Sequence, residues 1–163
     1  MGQQQLLLVI LVTILVGIAT VVAINVFGTA AEEGNRDAVR QDLLQAAAGA
    51  QAVYTRPEAL GGAGGDFTDT DALQPREIMS ALQIPGSFVD PLGGPTVTNW
   101  ENENAEYTVA TTNEYTLTVT AVPVSWNNDI VMQVCRDGVD RQWKYDITTD
   151  GSAPDAECAP PAT

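Results

Sequence analysis

The stretch LLLVILVTILVGIATVVAINVF, residues 6–27, decides how the rest of the chain is read. Thr13, Thr20 and Asn25 are its only polar side chains, and no charged residue precedes Glu32. The run is as long as the roughly 20 residues an α-helix needs to cross a bilayer. It is apolar on every side, so it cannot be the covered face of a small soluble domain alone.

The helical pattern continues beyond this run but changes character. Val39, Leu43, Ala47, Ala50 and Tyr54 recur at spacings of three and four, the period of one helix face. Arg36, Arg40, Gln41, Asp42, Gln45 and Gln51 lie between them and read as the solvated side. Glu32 and Arg36 are one turn apart and can pair. Arg56-Pro57 should end the helix, because proline disfavours helical geometry at the residue before it. Three readings of the N-terminus follow. A cleaved secretory signal would use Thr29-Ala30-Ala31, but it lacks a basic flank and the apolar run is too long. A single-pass anchor fits the apolar run and leaves the amphipathic continuation unexplained. A helix whose first half is covered by lipid or by copies of itself, and whose second half docks on a domain, accounts for both.

From Pro57 to Asn99 glycine, proline and acids dominate, with Gly61-Gly62-Ala63-Gly64-Gly65 and Pro75, Pro85, Pro91 and Pro95. These signals predict a long surface connection or a flexible linker, with a short helix at about Gln74–Leu82 that has Pro75 in its first turn. After Trp100 the period becomes two. Runs around Tyr107–Thr111, Tyr115–Ala121, Ile130–Cys135 and Trp143–Ile147 alternate apolar and polar residues. Asn127-Asn128-Asp129 and Asp137-Gly138 read as tight turns. The expected fold class is α+β: the long helix packed on a four-stranded antiparallel sheet. Tyr107, Tyr115, Trp126, Trp143 and Tyr145 are expected to pack on the sheet face.

Cys135 and Cys158 bracket the last run. An even pair beyond a membrane-length segment points to an oxidising, exported compartment. A bridge would close a loop of about two dozen residues and contribute about 3 kcal/mol in the chain-entropy account. The alternative, two separate buried thiols, sits poorly with the Pro/Ala/Asp-rich surroundings of Cys158.

With these features in place, the chain resembles type IV pilins and the related pseudopilins of type II secretion systems. They share a long N-terminal helix that is apolar in its first half, a variable loop, an antiparallel sheet and often a C-terminal disulfide loop. The resemblance implies a filament core built by a helix face with Leu6, Val9, Ile10, Thr13, Ile14, Gly17, Val21, Ile24 and Phe27. It implies helix-to-sheet packing by Val39, Leu43, Ala47, Ala50 and Tyr54, and a loop closed by Cys135 and Cys158. The implied partners are other copies of the chain, the cytoplasmic membrane before assembly, and the pilus assembly machinery. The implied location is a surface filament, preceded by a single-pass state in the cytoplasmic membrane. The sequence departs from the family at its start. Gly2 is the only glycine where a leader would end, and the mature N-terminus is Met1, Gln3 or Glu32. With Met1 first, Gln5 stands where pilins usually carry a glutamate that meets the neighbouring subunit's ammonium. A neutral amide can accept a hydrogen bond from that ammonium but cannot neutralise it.

Composition bounds the chemistry. Acids outnumber bases 21 to 7, for a net charge of −14, and Lys144 is the sole lysine. This composition argues against nucleic acid as a partner, since phosphate binding needs clustered Lys and Arg. The acid excess fits either a plainly self-repelling soluble surface or adaptation to high salt, where carboxylates are screened. Histidine is absent, so Ser-His and Cys-His pairs are excluded. The Gly61–Gly65 run lacks the Lys-Ser/Thr ending of a phosphate loop. No catalytic residue and no cofactor are expected. Asp66, Asp69 and Asp71 could offer oxygen ligands to calcium, although their spacing is not that of an EF-hand. No Asn-X-Ser/Thr sequon occurs, while the threonines from Thr108 to Thr120 could carry O-linked sugars.

Overall fold

In the computed structural model, residues 2–69, 73–94, 98–156 and 158 are described. The chain divides into two compact units, Met1–Gly34 and Asn35–Thr163. The first unit is helical from Gly2 onward and forms the N-terminal part of α1, which runs Gly2–Thr55. It carries no acid in its first turn. Its threonine hydroxyls turn back on the helix: Thr13 donates to the Ile10 carbonyl at 2.9 Å and Thr20 to that of Val16 at 2.8 Å. These two hydroxyls are thereby satisfied within the helix, as a low-dielectric environment demands.

In the second unit the remainder of α1 lies on a sheet. Val39, Leu43, Ala46 and Ala50 are fully buried, and Val53 and Tyr54 nearly so. α1 stops at Thr55, just ahead of Pro57. The glycine run then folds back over the helix end. The Ala63 N–H donates to the Val53 carbonyl at 2.9 Å and that of Gly64 to the Arg56 carbonyl at 3.0 Å, which satisfies carbonyls the helix leaves open. Gly61 sits at φ 72°, a left-handed geometry where glycine carries no steric penalty. A 3-10 turn, Glu58–Leu60, lies within this reversal.

α2 spans Pro75–Ala81 and is capped by Gln74 and Glu77 acting on each other's backbone. It approaches α1 very closely: a Cβ on Gly49 would lie 2.6 Å from the Leu82 carbonyl oxygen. Gln45 adds a hydrogen bond to the Gln83 carbonyl at 2.8 Å. The Gly/Pro-rich stretch expected to be a surface connection is therefore part of the core. Ala63, Phe67, Leu73, Ile78, Met79, Leu82 and Ile84 are all buried in it. Arg76 pins the stretch further on, with its guanidinium 3.8 Å from the Phe88 ring centroid and hydrogen bonds to the carbonyls of Asp90 and Pro91.

The sheet corrects the four-strand expectation. Among the described residues it has six antiparallel strands in sequence order: β1 Ser87–Phe88, β2 Trp100–Glu101, β3 Ala105–Asn113, β4 Thr116–Pro123, β5 Ile130–Arg136 and β6 Trp143–Thr148. The two additional strands are two residues each, too short to show a period. β3 and β4 join tightly through Glu114-Tyr115, so Tyr115 belongs to a turn and not to a strand. The β4–β5 and β5–β6 links are longer than the tight turns expected there. Tyr107, Val109, Leu117, Val119, Ala121, Ile130, Met132 and Val134 form the inner face of the sheet, beneath α1 and α2.

Of the aromatic residues expected on that face, Tyr107 is fully buried and Trp143 meets Tyr54 edge-on at 5.3 Å. Tyr145 is mostly exposed. Trp126 lies outside the strands, in the β4–β5 link, with the Arg36 guanidinium 5.1 Å from its ring centroid.

Candidate assembly surface and the domain that carries it

Within the first unit, every described residue is exposed. Its sixteen large apolar side chains between Leu6 and Phe27 range from 49% exposed at Val12 to 74% at Phe27. At about 1.5–3 kcal/mol for each side chain removed from water, covering them is worth tens of kcal/mol. That exceeds the net stability of a typical domain, about 5–15 kcal/mol. A surface of this kind requires a covering medium. α1 is long and apolar enough to cross a membrane, with a mean hydropathy of 3.1 over its best window.

Leu6, Val9, Ile10, Thr13, Ile14, Gly17, Val21, Ile24 and Phe27 lie along one side of this helix by their spacing. Leu7, Leu8, Leu11, Leu15, Ile18, Val22 and Val26 make the other side equally apolar and equally exposed. The structure does not single out one face. Gln5 is exposed near the helix start.

In the second unit, Val39, Leu43, Ala47, Ala50 and Tyr54 are buried against the sheet. A polar contact fixes the same helix from within, and the periodicity gave no sign of it. Asp42 is 9% exposed. Its Oδ2 accepts from the Tyr107 hydroxyl at 2.7 Å, Asn102 Nδ2 at 2.9 Å and Asn104 Nδ2 at 3.2 Å. Asn102 is itself held, because its Oδ1 accepts from the backbone N–H groups of Asn104 and Ala105. Asn35 Nδ2 donates to the Asn104 carbonyl at 3.0 Å. Three donors on one carboxylate offset the cost of burying it. Burial, and then the neighbouring Asp42 carboxylate, hold the Tyr107 hydroxyl well above its ordinary range, so it stays a donor.

The acids considered for calcium behave as loop formers where they are described. Asp66 Oδ1 accepts from both the backbone N–H and the hydroxyl of Thr68, each at 2.6 Å. The Asp69 carbonyl accepts from the Leu73 N–H at 3.0 Å. Asp71 lies outside the described residues. Among the described residues no group of three or more His, Cys, Asp or Glu side chains converges as a metal site.

Cys135 and Cys158 form a disulfide across 23 positions. It anchors the tail over the outer side of β5 and β6. The Ala156 N–H donates to Gln133 Oε1 at 3.0 Å and the Asp155 N–H to Asp146 Oδ2 at 3.0 Å. Between tail and strand lies an open depression of about 420 Å³, lined by Trp143, Lys144, Tyr145, Asp146, Asp155 and Ala156. Asp137, 3% exposed, takes Lys144 as its ion-pair partner at 2.5 Å and accepts from the backbone N–H groups of Val139 and Asp140. This closes the β5–β6 link.

A long apolar helix whose residues 2–34 are exposed, in a chain with a disulfide-closed α+β domain, is consistent with the pilin-like resemblance read from the sequence. No protein-family model, curated protein or solved structure matches the chain.

Proposed function

We propose that this chain is a structural subunit of an extracellular, type IV pilus-like filament that serves adhesion, surface attachment or motility, and that it is not an enzyme. One observation carries the reading. α1 is buried along one side from Val39 to Tyr54, whereas its more apolar N-terminal portion is exposed all round. A membrane covers such a helix before assembly, and other copies of the same helix cover it afterwards. Apolar helices packed on one another lose little by leaving lipid, because both media are apolar and close packing supplies the attraction. The disulfide fits an exported compartment. Partners on this reading are the chain itself, the cytoplasmic membrane and a pilus assembly machinery. Nucleic acid has no place among them.

The test is to shear filaments from the cell surface and identify the dominant band by mass spectrometry. This chain should be that band, and its first residue and any N-terminal methylation are read from the same spectrum. If the chain is a trace component, it is a minor pilin or pseudopilin. If it stays monomeric in membranes under all growth conditions, it is a single-pass anchor and the filament reading fails.

A further inference from the structure

β6 is the last strand of the sheet, and among the described residues no strand lies beyond it. One contact fixes which of its backbone groups face β5. The Asp137 N–H donates to the Gln142 carbonyl at 2.9 Å, in the register that sets Cys135 opposite Lys144 and Gln133 opposite Asp146. Hydrogen-bonded and non-bonded pairs alternate along an antiparallel ladder. Lys144 and Asp146 therefore turn their backbone groups toward β5, and Trp143, Tyr145 and Ile147 turn theirs to the open edge. Among the described residues nothing pairs with these outward groups. Residues 143–146 also line the open depression beside the tail, and Tyr145 is 57% exposed.

We propose that β6 pairs with β6 of a second copy, antiparallel and centred on Tyr145. Pairing of a strand with itself about a two-fold axis can centre here on Lys144, Tyr145 or Asp146. A centre at Lys144 sets lysine against lysine, and one at Asp146 sets carboxylate against carboxylate. Like charges directly opposite are destabilising. With Tyr145 at the centre, Lys144 of each copy faces Asp146 of the other, on the side of the sheet where the tail runs. Asp155, whose N–H is held by Asp146, comes up to the same lysine. On the other side Trp143 meets Ile147, and Tyr145 meets Tyr145. This register engages all three outward residues in about six main-chain hydrogen bonds, against about four for either neighbouring register. Backbone and charge thus select the same arrangement, and the match is one of the strand to itself. Beyond the strand ends, Asp140 and Arg141 of one copy come level with Asp150 of the other, one repulsion against one attraction. The strip is only ~17 Å long at ~3.3 Å per residue. Strand addition draws on main-chain hydrogen bonds more than on area, so the pair is weak and reversible, and covalent trapping reveals it. The contact needs the folded domain alone and stands apart from the filament reading.

The experiment oxidises single-cysteine variants of the full-length chain in detergent and weighs the products. Residues that face each other in a bonded antiparallel pair have Cα atoms about 5.5 Å apart, within disulfide reach. Tyr145→Cys should give dimers linked through position 145, at least about tenfold more than Thr148→Cys, which lies well off the axis. Trp143→Cys and Ile147→Cys should each link poorly alone and link to one another when the two chains are mixed. Equal dimer yields from Tyr145→Cys and Thr148→Cys overturn the proposal. So does a mixture of Trp143→Cys and Ile147→Cys that links no better than either chain alone. Dimers through position 145 in a chain that forms no filaments leave the pairing intact and count against the filament reading alone.

Discussion

Residues 2–34 and 35–55 belong to the same helix, and their hydrophobicity and burial run in opposite directions. The first stretch has the larger apolar side chains and buries none of them. The second is built from alanine, glycine and glutamine as much as from Val39 and Leu43, yet it supplies much of the core. Small residues there are useful because α1 is touched from two sides, by the sheet and by the segment after α2, where Gly49 leaves no room for a side chain. The large residues of the first stretch are all exposed. Burial within one chain is thus a poor guide to where apolar residues matter. The exposed half is as long and apolar as a bilayer-crossing helix needs to be.

The sharpest way to break this comparison is to delete Leu6–Val26. Membrane association and polymer formation should be lost entirely. The remaining domain should stay soluble, with a melting temperature within about 2 °C of the detergent-solubilised full chain. Aggregation or a large drop in melting would show that the halves are not independent.

Next in size is Asp42→Ala, inside the buried half. It strands the Tyr107 hydroxyl and the amides of Asn102 and Asn104. Denaturant titration should show a loss of about 3 kcal/mol, while the equivalent polar-to-alanine change in the exposed half, Thr13→Ala, should leave the domain unchanged.

Replacing both cysteines by serine should cost somewhat less, about 2–3 kcal/mol. Because Cys135 sits on β5, far in sequence from α1, membrane insertion should be untouched. Flotation assays and melting curves on the same sample separate the two effects.

The smallest expected change is Tyr107→Phe, at about 1 kcal/mol. Its pH dependence is more telling. The folded-state affinity of Tyr107 for its proton is raised, so its contribution is complete below the ordinary tyrosine range, near pH 10. Above that pH the unfolded chain releases the proton while the folded one retains it, and stability falls as pH rises. The phenylalanine variant should show a shallower alkaline decline. An identical decline in both proteins would remove Tyr107 as its source.

How much of this was legible in the sequence depended on the range of the forces involved. The apolar half of α1 was readable from its length and lack of charge, and the four longer strands from their alternation. Both are local signals. β1 and β2 were missed because two residues, such as Trp100-Glu101, cannot display a period. Asp42 was read as solvated, the usual fate of a helix acid. Its burial rests on Asn102, Asn104 and Tyr107, at least 60 positions away, and no window along the chain reaches that far. The glycine run was taken for a connection because its core residues, Ala63 and Phe67, follow no period. Only the reversal over the end of α1 explains them.

The ion pair that closes the β5–β6 link has a practical consequence. Lys144 is the chain's one lysine, and its ammonium is spent on an almost inaccessible carboxylate. Reagents that acylate primary amines therefore find a single lysine on each copy, already engaged, and a protease that cuts after lysine finds a single site. Fluorophores, affinity handles or crosslinks are better attached through carbodiimide activation of the abundant acids. Amine labelling of the intact chain has, by the same count, two targets at most, this lysine and the terminal amino group.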